Sequence, residues 1–314
     1  MTQSLDRFFA LNDALRTSTP RPDRQAAAFA AVVHAHGSGD VGSLVAATKA
    51  RHEALKSALG GFQAPSGAMR WVYAAMLAAH TVEVSHFMGA RAALRDERAA
   101  SKTGALHAGG SRAALLLSLG EAGPQTVRAF FEMKRALRPP WWRSDDAITD
   151  TFAAAQVLAG TRPDAVRAAR EHAEAIFASD RRARDHRREG ARQCVLLEQA
   201  PEMVLARFNA LEDARRADRY LRRRSDRSLT MEWAASGRSP ADLAEIGQIE
   251  KTMPNHLTSM GFCRTRLASL IAFDDYGQDP ARSASALAAV IAAQAAMMAA
   301  IAASTVATTS AVSS

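Results

Sequence analysis

Strand signals are scarce in this chain. No stretch of its 314 residues alternates Val, Ile and Thr as half-buried strands require. Only two cysteines occur, Cys194 in QCVLL and Cys263 in GFCRTRL. Two isolated cysteines make no disulfide framework and have no metal-ligand spacing, which fits a reducing compartment. Aromatics are 6% of residues, so a core must be built from Ala, Leu, Val and Met. No G-x-S-x-G elbow, P-loop or G-x-G-x-x-G stands in a strand–turn–helix setting. The opening MTQSLDRFFALNDALR lacks a basic segment followed by an apolar run, so a cytoplasmic location is expected rather than secretion.

What is present is helix-forming. Hydrophobic residues make up 48% of the chain, and Ala and Leu lose little side-chain freedom in a helix. Five prolines recur regularly: Pro124, Pro163, Pro201, Pro240 and Pro280 are 39, 38, 39 and 40 residues apart. Each follows a short turn (GEAGP, AGTRP, EQAP, SGRSP, YGQDP), and Val127, Val166, Val204 and Leu243 stand three positions after the first four. Proline is tolerated at the first helical position, where its missing N–H loses no partner. Each proline therefore marks the second helix of a hairpin.

The first helices carry the apolar runs at 31–33, 74–79, 114–119, 154–159, 194–198, 231–236 and 267–273. Counting back from Pro124 by the same period reaches Glu83 and Asp40, acidic residues that suit a helix N-terminus. The expected fold is all-α: an α-solenoid-like tandem array of helical hairpins, about seven units of ~40 residues, after an N-terminal helix near 2–16. A closed α/α toroid is the alternative. The repeat domain spans 1–282.

The segments RWVYAAMLAA and SRAALLLSLGEAGP and the closing AVIAAQAAMMAAIAASTVA resemble an uncharacterised family of bacterial all-helical proteins carrying a domain of unknown function. The resemblance covers most of the chain. It implies a bacterial cytosolic helical protein, and it brings no catalytic residue, cofactor or substrate.

The net charge is +8, and all but five of the forty cations are arginine. Such a balance suits an acidic partner, and it is also what an Ala- and Arg-rich composition gives unaided. Two clusters concentrate it: Arg181, Arg182, Arg184, Arg187, Arg188 and Arg192, then Arg215, Arg216, Arg219, Arg222, Arg223, Arg224 and Arg227. Connections between hairpins fall along one edge of an array, so the clusters are expected to form one basic strip. Interleaved carboxylates (Asp180, Asp185, Glu189, Asp213, Asp218, Asp226) offer solvated ion pairs instead. Trp141 and Trp142, in ALRPPWWRSDD, could anchor a partner beside the strip or staple the next helix. The candidate binding residues are Trp141, Trp142, Arg181, Arg184, Arg188, Arg222, Arg223 and Arg224.

No metal or cofactor site is expected. Glu83 and His86 have E-x-x-H spacing, but a di-iron bundle needs two such motifs and two further carboxylates. GSGDVG at 37–42 is read as a hairpin turn, and DDYGQD at 274–279 does not match a calcium loop. Residues 283–314 hold no charge, glycine or proline, and Leu287, Ile291, Gln294, Met298 and Ile301 form a narrow seam. This segment is expected to cap the array or pair with a second copy, with a membrane anchor as the weaker reading. The function class expected is a non-catalytic scaffold that binds a protein or acidic polymer, nucleic acid included. The alternatives are an enzyme in a toroid whose centre gathers acidic residues, and a membrane-associated protein.

Overall fold

A computed structural model describes residues 2–273, apart from 61–64, 66, 102–104, 121–122, 139–145, 220, 225–226, 255–256 and 258–260. Pro280, Trp141, Trp142 and the 283–314 segment lie outside the described residues. The described residues form helices and turns, with no strand among them.

In chain order the helices are α1 (Thr2–Thr17), α2 (Arg24–Val33), α3 (Val41–Ala58), α4 (Gly67–Ala79) and α5 (Val84–Ser101). Then come α6 (Ser111–Ser118), α7 (Pro124–Ala136), α8 (Asp146–Leu158), α9 (Pro163–Ser179) and α10 (Arg187–Leu196). The last are α11 (Pro201–Ala217), the four-residue α12 (Leu221–Arg224), α13 (Arg227–Ala235), α14 (Pro240–Thr252) and α15 (Gly261–Ala272). The prolines stand at the first positions of α7, α9, α11 and α14. Asp40 caps α3 by accepting from the Ser43 amide at 2.9 Å. Glu83 instead sends its carboxylate to Arg51 of α3, at 3.1 Å.

Two series emerge from burial. The apolar runs sit in α2, α4, α6, α8, α10, α13 and α15, which are enclosed almost all round: every residue from Ala26 to Val33, and from Ala113 to Ser118, is buried. Helices apolar all round belong inside. Members of the other series (α1, α3, α5, α7, α9, α11, α14) bury one stripe each, such as Val204, Phe208 and Leu211 of α11. Each covering helix packs on the enclosed helix that follows it, and on the next covering helix along. Among the enclosed helices, α2 packs on α4, α6 on α8, α8 on α10 and α10 on α13. Finally, α15 packs against α1 and α2. Phe8, Phe29, Phe87, Phe130, Phe177 and Phe208 are fully buried in these interfaces. Each contributes about 2 to 3 kcal/mol.

One turn recurs between enclosed and covering helices. The residue three positions before the next helix is left-handed: Thr81 (φ 54°), Gly160 (φ 69°), Glu198 (φ 52°) and Gly237 (φ 79°). The following amide closes back on the helix: Val82 to Leu77 O (2.8 Å), Thr161 to Gln156 O (3.0 Å), Gln199 to Cys194 O (2.8 Å) and Arg238 to Trp233 O (2.9 Å). This is the C-terminal cap that satisfies orphan carbonyls. Glycine meets its requirement freely at 160 and 237, whereas Thr81 and Glu198 bear a steric cost.

At the other end, buried polar side chains tie covering helices to enclosed ones. Arg91 of α5 donates to Ser111 Oγ at 3.1 Å. Lys134 of α7 pairs with the fully buried Asp150 of α8 and donates to Ala105 O. Glu250 of α14 accepts from Thr265 of α15 at 2.9 Å. His52 of α3 stacks on Trp71 of α4, with ring centroids 3.9 Å apart. Buried polar groups must be paired in this way or cost heavily.

Candidate functional site

Both arginine clusters fall on links from a covering helix to an enclosed one. The first link follows α9. Its leading residue, Asp180, accepts from the amides of Arg182 (2.7 Å) and Ala183 (3.0 Å), which bends the chain into a short 3₁₀ turn, Arg184–His186. The second Asp180 oxygen accepts from Asn209 Nδ2 of α11 at 3.0 Å. Partial burial works against the Asp180 carboxylate. The Asn209 amide, the two backbone N–H groups and the Arg182 charge outweigh it and hold its pKa below the usual range. Arg182 itself reaches Asp213 of α11 at 2.7 Å. The link is thus pinned to the next covering helix at two points.

The second link follows α11. Asp218 accepts from the Leu221 amide at 3.0 Å and starts α12, which packs on α15. Just before it, Glu212 gathers three guanidinium groups. Its Oε2 accepts from Arg215 Nε at 2.8 Å, and its Oε1 from Arg215 Nη2 and Arg216 Nε, both at 2.9 Å, and Arg227 Nε at 3.2 Å. Glu212 is fully buried, and burial pushes its carboxyl upward. The hydrogen bonds from Arg215 and Arg216, the Arg215 charge and the Arg227 bond overcome burial and hold the pKa at about 2. The first turns of α10 and α13 also join here, since Ser228 Oγ donates to Glu189 at 2.6 Å.

These contacts divide the arginines. Arg182, Arg215, Arg216 and Arg227 are held by carboxylates and form part of the scaffold. Arg181, Arg184 and Arg222 are exposed and Arg188 is half-buried. Among the described residues, none of these four has a carboxylate within ion-pair distance. Arg223 and Arg224 lie in α12, but their side chains are outside the described residues. Most of the nearby acids are engaged elsewhere: Asp180 and Asp218 hold backbone, Asp213 and Glu212 hold arginines, and Glu189 holds a serine, whereas Asp185 is exposed. Residues 180–192 and 212–227 together carry six of the chain's eight net positive charges.

Other chemistry is sparse. Among the described residues, no three His, Cys, Asp or Glu side chains gather to hold a metal ion. Burial, and then the Glu202 charge, push the Cys194 thiol up to about 12 against the opposing Arg207, so it stays protonated at neutral pH. No helix among the described residues is long and apolar enough to cross a membrane. No family model, curated protein or solved structure matches the chain.

The polar ties between series were not apparent from the sequence. A signal for them does exist: Lys134 and Glu250 stand ten residues after the proline that opens their helix, and Glu212 eleven after its own. One polar residue there interrupts an otherwise apolar stripe.

Proposed function

We propose that the helix pairs close into a seven-membered α/α toroid and that the protein is a non-catalytic scaffold for an acidic polymer or acidic protein surface. Closure is supported by the packing of α15 on α1 and α2. Two hydrogen bonds span the same seam: Ser4 Oγ to Ile271 O at 3.4 Å, and His36 Nε2 with Leu270 O at 3.3 Å. These contacts favour the closed ring over the open array. In a ring of antiparallel pairs, all links from covering to enclosed helices share one edge. The two arginine links therefore face the same way, beside the N-termini of α10 and α13, whose dipoles add positive potential.

The observation that carries the binding reading is the division of the arginines. Arg181, Arg184, Arg188 and Arg222 keep their charge for solvent or a partner, because Asp180, Glu189, Glu212, Asp213 and Asp218 are engaged in holding the fold and the exposed Asp185 lies beyond ion-pair distance. Four such residues neutralising four phosphates give a slope of log K against log salt of about −3 for a single strand. The test is a salt titration with a labelled single-stranded oligonucleotide and, separately, a labelled polyglutamate peptide. Replacing Arg181, Arg184, Arg188 and Arg222 together by glutamate should abolish binding of whichever probe is taken and leave helicity intact. Binding that survives this change, or neither probe binding at low salt, refutes the reading.

A further inference from the structure

A second site is suggested by a cavity of about 300 Å³ between α8, α9 and α10, on the side of the tight turns. Its apolar wall includes Val166, Ala169, Ala173 and Val195, and its polar atoms include those of Gln156 and Cys194. It is remote in kind from the arginine edge, and nothing in the toroid or in the binding of an acidic partner requires it.

The repeat explains why space opens here. Six and ten residues after its first proline, α7 places Phe130 and Lys134, α14 places Ile246 and Glu250, and α11 places Arg207 and Leu211. Phe130 and Ile246 are fully buried at this register position. In α9 the same two positions are Ala169 and Ala173. In α9 the first of these positions is exposed and the second buried, and both carry only a methyl group, so the groove beside them stays open.

Gln156 supplies direction. It is 2% exposed, and its Nε2 donates to Val195 O at 3.4 Å. Its Oε1 accepts no hydrogen bond from a described residue, yet it stays accessible at the cavity wall. A buried amide oxygen left open is an acceptor awaiting a donor. Carboxylates flank the mouth: Glu198 lines it, and Glu202 pairs with His172 at 3.4 Å. An anion is disfavoured beside them, and any ion loses hydration against alanine and valine walls.

We propose that this cavity binds a small, uncharged, largely apolar molecule of phenol or indole size that carries one hydrogen-bond donor. Its apolar body lies against Val166, Ala169 and Ala173, and its O–H or N–H donates to Gln156 Oε1. A volume near 300 Å³ is at the small end of ligand sites, which suits one ring or a fused pair.

The test titrates phenol, indole and toluene into the full chain by calorimetry. The melting temperature gives a second readout, because a ligand that binds only the folded chain raises it. Phenol and indole should bind and raise the melting temperature, with toluene weaker by five-fold or more. Gln156→Leu should remove that preference and leave toluene binding unchanged. Ala169→Phe should weaken phenol and indole at least ten-fold without lowering the melting temperature, and Ala169→Leu should do the same if the larger ring is not accommodated. Absence of binding and of a thermal shift in the unaltered chain, or full affinity in both Ala169 variants, overturns the proposal.

Discussion

Replacing Glu212 by glutamine keeps the shape of the side chain and removes one charge from the busiest polar centre in the described structure. The carboxylate accepts four hydrogen bonds from three arginines. An amide oxygen cannot accept them all, and its NH₂ group would face guanidinium donors. The partners respond differently. Arg216 and Arg227, with side chains 45% and 34% exposed, can turn to water, whereas Arg215, at 9%, cannot. Breaking a buried pair on one side costs about 3 to 5 kcal/mol. With two of three partners able to relax, the lower end applies, about 3 kcal/mol. Linkage gives a similar figure: a carboxyl lowered from 4.5 to about 2 contributes roughly 3 kcal/mol of stability. The sign follows from the lowered pKa. The contribution is full above pH 4.5 and fades as pH falls toward 2. Urea unfolding of both proteins, followed by circular dichroism at neutral pH and near the bottom of that window, measures it. The variant should be about 3 kcal/mol less stable at neutral pH and close to the parent in acid. A deficit under about 1 kcal/mol at neutral pH, or one that does not shrink in acid, refutes the argument.

Other outcomes follow from the same physics. Lys134→Met strands the fully buried Asp150 carboxylate and should cost about 3 to 5 kcal/mol in urea unfolding, part of it recovered by adding Asp150→Leu. Thr81→Gly and Glu198→Gly relieve left-handed backbone at non-glycine residues and should each raise stability by about 1 kcal/mol, seen as a higher melting temperature. Burial, with the Arg7 and His80 charges, lowers the His34 pKa from 6.5 to about 4, so its ring is neutral in the folded protein. Stability should therefore decline by roughly 3 kcal/mol as pH falls from 6.5 to 4, and His34→Gln should flatten that decline.

The helical skeleton was legible because its signals are local. Pro163 and Pro240 stop one helix and open the next wherever they stand, and runs such as ALLLSL announce a helix enclosed on every side. The paired roles of the arginines were not legible. Arg182 and Arg181 are adjacent and chemically identical. Only the packing of the first link on α11 gives Asp213 to one and leaves the other in solvent. The packing of α15 on α1 and α2 was equally hidden, since periodicity is the same in a line and in a ring. Thr81 and Glu198 concealed their turn because a left-handed residue is anticipated at glycine, and the backbone there is imposed by the hairpin rather than favoured by the side chain.

The seam between α15 and the pair α1–α2 has a consequence for synthesis. The flank of the first pair is completed only by residues about 240 positions later in the chain. At ribosomal rates of about 5 to 20 residues per second, that flank waits on the order of 10 to 50 seconds for its cover. In an open stack each pair docks on the one just made. Here the first pair must stay folded and uncommitted, with an apolar side toward solvent or a chaperone, until α15 arrives. Nascent chains stalled before residue 261 should therefore be the aggregation-prone species, whatever the stability of the finished protein.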